Sequence, residues 1–301
     1  MKILITGATG FIGSSLTSYL LSKGYTVNYL TTDRDKIKDA VRYHGFYWNP
    51  AKSSFDLKAL DGVDVVVHLA GASISKRWTS RNKQQMIDSR INSTRFLYQT
   101  LKEQKHQVKQ LIGASAIGIY QDSLDYIHQE DSLRVDADFL GDLVTQWEAE
   151  NKKFEELGIW VCLLRIGMVL SKNDGALPEL VKPIERYYGA VLGSGEQIHS
   201  WIHREDLIYL FEYAISHQLE GVYNAVSPHP ITQRELVMDL KTILKKPVFF
   251  PRIPTVILKL ILGERHILVT GSQNVSSQKA LNAGFEFKFP EIKMALTNLL
   301  K

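Results

Sequence analysis

Residues 1–24 read MKILITGATGFIGSSLTSYLLSKG. An apolar run of β-formers, KILIT, stops at Gly7, and a helical pattern begins four residues later. Gly7, Gly10 and Gly13 fall at three-residue spacing across that junction. Glycine permits positive φ and lets a backbone approach a ligand closely. The helix behind it points free N–H groups and a positive dipole end at the same place. A strand, a bare turn and a helix N-terminus in that order suit a pyrophosphate, so the stretch reads as a dinucleotide site built from Gly7, Thr9, Gly10, Phe11, Ile12 and Gly13.

The rest of the first half repeats the alternation. TVNYLT, GFYWNP, VDVVVHLAG, QLIGASA and WVCLLRIGMVL are β-rich runs. Helix-period segments separate them, chiefly SRNKQQMIDSRINSTRFLYQTLKEQ and DFLGDLVTQWEAENKKFEELG. Continuous apolar runs suit strands covered on both faces. The fold class expected is therefore α/β, a Rossmann-type doubly wound parallel sheet with a smaller C-terminal α/β substrate lobe. Residues 1–170 form the dinucleotide-binding domain, to which the chain returns at about 192–228. Residues 171–301 form mainly the substrate lobe, with a distinct C-terminal segment at about 247–301. In that lobe Thr232 caps a helix, FEFKF reads as a strand, and TVILKLILG reads as a packed helix.

Composition narrows the classes. Hydrophobic residues make up 45% and charged residues 23%, and the formal net charge is +4. Lysine and arginine are dispersed, which gives no support for a nucleic-acid surface and mildly favours an anionic small ligand. The single cysteine, Cys162, sits in an apolar run and reads as a buried small hydrophobe. One thiol suits a reducing compartment, so a cytoplasmic location is expected. No apolar run approaches the ~20 residues needed to span a bilayer, and no membrane partner is expected. A homodimer stays an open assembly. No His, Cys and carboxylate cluster has metal-ligand spacing, so no metal is expected.

The second strand ends Leu30-Thr31-Thr32-Asp33-Arg34, with Thr31 where an NAD enzyme carries an acidic residue. A neutral strand end with Arg34 beside it favours a 2′-phosphate, hence NADP (NADPH) over NAD.

On these residues the chain resembles an extended short-chain dehydrogenase/reductase. ITGATGFIG matches the superfamily glycine pattern, and HLAG at 68–71 matches its fourth-strand motif. KRWTSRNKQQMIDSRINSTRFL, GASAIGIYQD, GSGEQIHSWIHREDL and LNAGFEFKFP narrow the match to an atypical epimerase-like family with its own small C-terminal domain. The resemblance implies a nicotinamide cofactor along the sheet's C-terminal edge, contacted also by Leu69, Ala70 and Gly71. It implies a serine after the fifth strand and a Tyr-x-x-x-Lys pair on the next helix, whose ammonium lowers the phenol pKa for proton exchange.

The sequence departs from that pattern. Anchored on Glu148, the tyrosine and lysine positions hold Leu140 and Val144, and Arg90 stands where an asparagine is usual. Tyr19 with Lys23 and Tyr98 with Lys102 match the spacing elsewhere, by coincidence of helical i,i+4 repeats. Ser115, or Ala116 one residue on, holds the serine place, and Tyr120 offers a substitute phenol; Ser115 and Tyr120 are the catalytic candidates. Arg77, Trp78, Lys83 and Arg90 fall on the segment aimed over the nicotinamide, and arginine suits carboxylate or phosphate. The glycine-containing stretch GSGEQIHSWIHREDL resembles the loop that lines the substrate pocket in nucleotide-sugar epimerases, which adds His199 and Trp201 to the candidate substrate pocket, and His203 is a second titratable group there. Two functions follow. One is an oxidoreductase or epimerase acting on a small polar or anionic substrate. The other is an NADP-binding sensor or scaffold without turnover.

Overall fold

The computed structural model describes residues 1–249 and 252–301. Seven strands form one parallel sheet: β1 (Lys2–Thr6), β2 (Thr26–Thr31), β3 (Tyr43–Asn49), β4 (Val65–His68), β5 (Gln110–Ala116), β6 (Trp160–Ile166) and β7 (Gly221–Ala225). Their spatial order is β7-β6-β5-β4-β1-β2-β3, the doubly wound arrangement expected, and short antiparallel pieces pair with β3. Strand order reverses between β1 and β4, where ligands of such sheets bind. Two apolar layers sandwich the sheet. Ile3, Ile5, Val65 and Val67 face α1 (Phe11–Ser22), while Leu4, Val66, Leu111 and Leu163 face the opposite side. The strict period of two assigns alternate residues to opposite layers. Cys162 is fully buried, and burial pushes its thiol up to about 12.

The long helical run after β4 is split. α2 (Ser80–Ile87) passes through a π-turn at Asp88–Asn92 into α3 (Ser93–Glu103). Such a one-turn widening re-aims the side chains inside it, here Arg90. α4 (Phe139–Lys152) opens on Asp138, whose carboxylate accepts the N–H groups of Leu140 and Gly141, both at 2.8 Å. WVCLLRIGMVL is not one strand. It breaks at Gly167, where a Cβ would stand 2.5 Å from the Ser200 carbonyl oxygen, and Met168–Leu170 leaves the sheet to pair with Trp201–His203.

After β6 the chain forms α5 (Leu177–Glu185), α6 (Arg204–Ser216), α7 (Gln233–Leu244), α8 (Thr255–Leu262), α9 (Ile267–Thr270), α10 (Gln278–Asn282) and α11 (Ile292–Leu300). α6 packs on α1 against the main sheet, whereas α5, α7 and α11 enclose a separate core around Trp201, Leu236 and Leu296. A four-stranded sheet joins Ser123–His128, Gln273–Val275, Ile198–His199 and Ile231–Thr232. Thr232 and Glu235 form a full capping box at α7.

Two expectations about this lobe are corrected. FEFKF is not a strand: the N–H groups of Lys288 and Phe289 donate to the buried Asp206 carboxylate at 2.8 and 2.9 Å, which replaces a ladder partner. TVILKLILG is helical, as α8, but it is not packed. Of its residues only Leu258 is buried.

Candidate functional site

The glycine turn is held by close approach. Gly7 has φ +71°, and a Cβ on it would meet the Leu69 carbonyl at 2.9 Å. A Cβ on Gly13 would stand 2.1 Å from the Gly7 oxygen, so helix and strand touch there. Gly10 is different. It is the N-cap of α1, is exposed, and a Cβ there meets only the Gly7 oxygen at 3.2 Å. α1 has no side-chain cap and no acidic residue in its first turn. The donors of Phe11, Ile12 and Gly13 therefore face an open, positive helix end, a cradle that fits a pyrophosphate. Phe11 reaches toward Gly175, whose Cβ would lie 3.4 Å from the ring.

Beneath the cradle runs a hydrogen-bonded chain that the sequence did not reveal. The Thr6 hydroxyl accepts the N–H groups of Leu69 and Ala70, each at 3.1 Å, so its own proton donates to His68 Nδ1 at 2.7 Å. His68 Nε2 then donates to Thr94 at 2.9 Å, and Thr94 donates to the Arg90 carbonyl at 2.6 Å. These roles require a neutral imidazole. Complete burial enforces it, holding the His68 pKa at about 4. The chain ties β1, the HLAG turn and the π-turn into one rigid edge. Its sequence signal was a threonine at the end of β1 and a histidine at the end of β4.

Arg90 emerges from that edge. Its guanidinium lies against Gly71, where a Cβ would be 3.1 Å away, and 5.2 Å over the Trp147 ring. It donates to the Ala72 carbonyl at 3.0 Å, and among the described residues it has no carboxylate partner. Burial lowers its pKa to about 10. Trp78 packs in the apolar cluster with Met86, Leu143 and Trp147, and its ring nitrogen donates to the Ile74 carbonyl at 2.9 Å. Lys83 pairs with Glu264 and lies 4.9 Å over the Phe139 ring. Arg77 is exposed on the loop before α2.

The two residues expected to carry proton chemistry lie elsewhere than expected. Ser115 is buried and donates to Glu148 at 2.5 Å. Arg165, its neighbour across β6, binds both Glu148 oxygens at 2.8 and 2.9 Å. Arg165 also donates to the Tyr120 hydroxyl at 2.8 Å, which donates onward to Asn224 at 2.7 Å. Tyr120 is fully buried, and burial pushes its phenol up to about 12. These polar side chains are buried and engaged with one another. Val144, at the lysine place, packs with Ile117, Ile119, Tyr120, Val226 and Val275, a setting that excludes an ammonium. Of the pocket candidates, Trp201 is fully buried in the lobe core, its ring nitrogen bound to the His229 carbonyl at 2.8 Å. His199 bonds Gln233 at 2.9 Å and is lowered by burial. His203 caps α6 by accepting the Glu205 N–H at 3.1 Å. Among the described residues no group of three or more metal-ligating His, Cys, Asp or Glu side chains gathers.

Residues 3–225 match the model of the NAD dependent epimerase/dehydratase family. The chain belongs to the NAD dependent epimerase/dehydratase family. Residues 253–299 match a second model described as a domain of unknown function, DUF1731, so the family core carries a C-terminal domain of its own. An epimerase family protein of Staphylococcus aureus is 38% identical over 100% of this chain and 99% of its own length. The human epimerase family protein SDR39U1, solved with NADPH, superposes with a TM-score of 0.85 at 27% identity, covering 99% of each chain. UDP-glucuronic acid 4-epimerase from Bacillus cereus, solved with UDP-glucuronic acid and NAD, superposes at 0.80 with 20% identity, covering 99% of this chain and 98% of that one.

The preference for NADP expected from Arg34 is corrected by these family-fold structures. NAD is the dinucleotide in the B. cereus epimerase, in MoeE5 and in dTDP-glucose 4,6-dehydratase from Bacillus anthracis, against NADPH in the human protein. Arg34 itself is exposed and lies 3.9 Å over the Tyr47 ring. A missing acidic residue at the end of β2 is thus not enough to select the 2′-phosphate form.

Proposed function

We propose that this epimerase-family chain holds a nicotinamide dinucleotide over the Gly7–Gly13 turn and acts on a small anionic substrate of the sugar-nucleotide type, as an epimerase or oxidoreductase. The observation that carries this reading is Arg90, a half-buried guanidinium without a carboxylate partner among the described residues, beside Gly71 at the switch point of the sheet. Burying a cation alone is unfavourable, so the site is complete only when an anion arrives. The substrates named in related folds carry phosphates and carboxylates, as UDP-glucuronic acid does.

When bound, the dinucleotide supplies or accepts hydride at its nicotinamide. The chain's own part is to place the reactants. Phe11, Ile12 and Gly13 offer N–H groups to the pyrophosphate. Leu69, Ala70 and Gly71 form the floor, fixed from below by Thr6 and His68. Arg90 orients the substrate anion, with exposed Arg77 widening the positive mouth. Residues 1–170 with 192–228 hold the cofactor, and the remainder shapes the substrate side. The proton that accompanies hydride comes from water or the substrate's own acidic group, since Ser115 and Tyr120 are buried and engaged with other side chains.

A second reading, a dinucleotide-binding sensor without turnover, is favoured by the apolar packing of Val144 where a catalytic lysine would stand. Titration with NADH and NADPH separates the two when followed by two assays: transfer of deuterium from the 4-deuterated reduced cofactor into 4-keto nucleotide sugars, and epimer formation from UDP- and dTDP-sugars with the oxidised cofactor. Label in any keto sugar, or formation of any epimer, supports the enzyme. Tight dinucleotide binding with neither outcome across the panel supports the sensor, and no binding of either dinucleotide overturns both.

A further inference from the structure

The C-terminal segment exposes apolar side chains on α8 and carries cations in the chain around it. In α8, Val256, Ile257, Leu260 and Ile261 are 70%, 48%, 81% and 68% exposed, while Leu258 is buried. Positions i, i+1, i+4 and i+5 share one side of a helix, and Leu258 falls opposite them, toward the body. Exposures this large belong to a convex face, because a side chain lining a cleft keeps walls on either side. Residues 240–263 also contain Lys241, Lys245, Lys246, Arg252 and Lys259, and no aspartate or glutamate. The strip continues beyond α8. Lys246 reaches the Tyr187 hydroxyl at 2.7 Å, and Tyr187 and Tyr188 are both half exposed. Ile253 pairs with Leu192, with its N–H on the Val191 carbonyl at 2.8 Å, which sets the start of α8 beside the same Tyr187–Leu192 stretch.

We propose that this strip seats the protein on an anionic lipid surface, with α8 lying in the plane of the interface. Val256, Ile257, Leu260 and Ile261 enter the acyl boundary, and the five cations stand at phosphate level. The contact attaches and does not span, since no helix among the described residues is long and apolar enough to cross a membrane. It revises the expectation of no membrane partner. A second copy of this chain is the competing occupant. A two-fold contact through the strip would set its cations against the same cations. A nucleic acid would meet the charges but leave the apolar stripe in water.

The test is flotation of the full chain with vesicles of equal parts phosphatidylglycerol and phosphatidylcholine, against pure phosphatidylcholine, at low and high salt. The expected result is binding to the anionic vesicles only, weakened by salt and at least about tenfold weaker in Leu260→Asp, with Lys245→Glu/Lys246→Glu reducing it severalfold. Circular dichroism checks that Leu260→Asp keeps its fold; Ile261→Ser carries the same comparison should it not. Absence of binding to the anionic vesicles overturns the proposal. So does binding unchanged by both α8 variants, or a dimer in sedimentation velocity that those variants disperse.

Discussion

The two halves of the sheet's C-terminal edge are built in opposite ways. At β1 and β4 the backbone is bare, the helix end is uncapped and Arg90 has no carboxylate partner among the described residues. At β5 and β6 the corresponding groups are closed on one another: Ser115, Glu148, Arg165, Tyr120 and Asn224 satisfy each other in the dark of the fold. Unsatisfied donors mark where a ligand is expected, and a closed buried network marks architecture. The difference teaches that one edge of a sheet can hold a closed framework at one end and an open helix terminus at the other.

The sharpest way to break this contrast is Gly13→Val. A branched side chain where even a Cβ would lie 2.1 Å from the Gly7 oxygen forces α1 off β1. Dinucleotide binding should vanish, with a stability loss of about 4 kcal/mol or more read by chemical denaturation. Retained binding would show that helix and strand do not need to touch.

Next in size is Arg165→Met. It strands the Glu148 carboxylate in a buried site, a loss of about 3–5 kcal/mol. Adding Glu148→Leu should restore most of it, because the closed half then lacks both charges. A double variant no better than the single one would mean that the pair is not an isolated structural unit.

The open half has its own vulnerability, to acid. Burial holds His68 at about 4, and His203 likewise, both below the ordinary 6.5. The unfolded chain therefore takes up these protons first as pH falls. Stability present above pH 6.5 is lost progressively between 6.5 and 4. Each histidine contributes about 2 kcal/mol of that loss between pH 6.5 and 5. Denaturation midpoints measured across this window should fall, and His68→Gln should flatten the slope, leaving the part that His203 and the other burial-depressed histidines, His106, His128 and His199, contribute. A slope identical in the variant would take His68 out of the rigid edge.

The smallest effect expected is that of Tyr120→Phe. Removing the hydroxyl leaves Asn224 and one Arg165 N–H without a partner, about 1–2 kcal/mol. Dinucleotide affinity should not move. Lost affinity with unchanged stability would transfer Tyr120 from the closed half to the open one.

How much of this was legible depended on what each feature needs. The parallel sheet and the glycine turn follow from continuous apolar runs and from spacing, both local properties. What escaped was the pairing of distant groups. Nothing near Ser115 or Tyr120 in sequence announces Arg165, and a serine at a strand end reads the same whether its hydroxyl points to solvent or to Glu148. WVCLLRIGMVL looks unbroken because the collision that breaks it, between Gly167 and Ser200, is non-local. FEFKF has strand composition, but its N–H groups were claimed by Asp206. α8 misled in the other direction, since apolar composition fixes a helix without saying that anything covers it.

Asn224 joins Tyr120 across 104 residues of chain and reaches the Ser276 carbonyl 52 residues further on. The closed network is thus assembled from parts made at very different times. A ribosome that has released β6 has delivered Glu148 and Arg165, while the strand that covers them and the segment that locks that strand are still unsynthesised. Such distant closures are slow to form, and the nascent sheet waits with an open flank until Gly221–Ala225 emerges, and that strand waits for Ser276 to lock Asn224. The closed half is therefore completed late, far from the glycine turn that announces the fold.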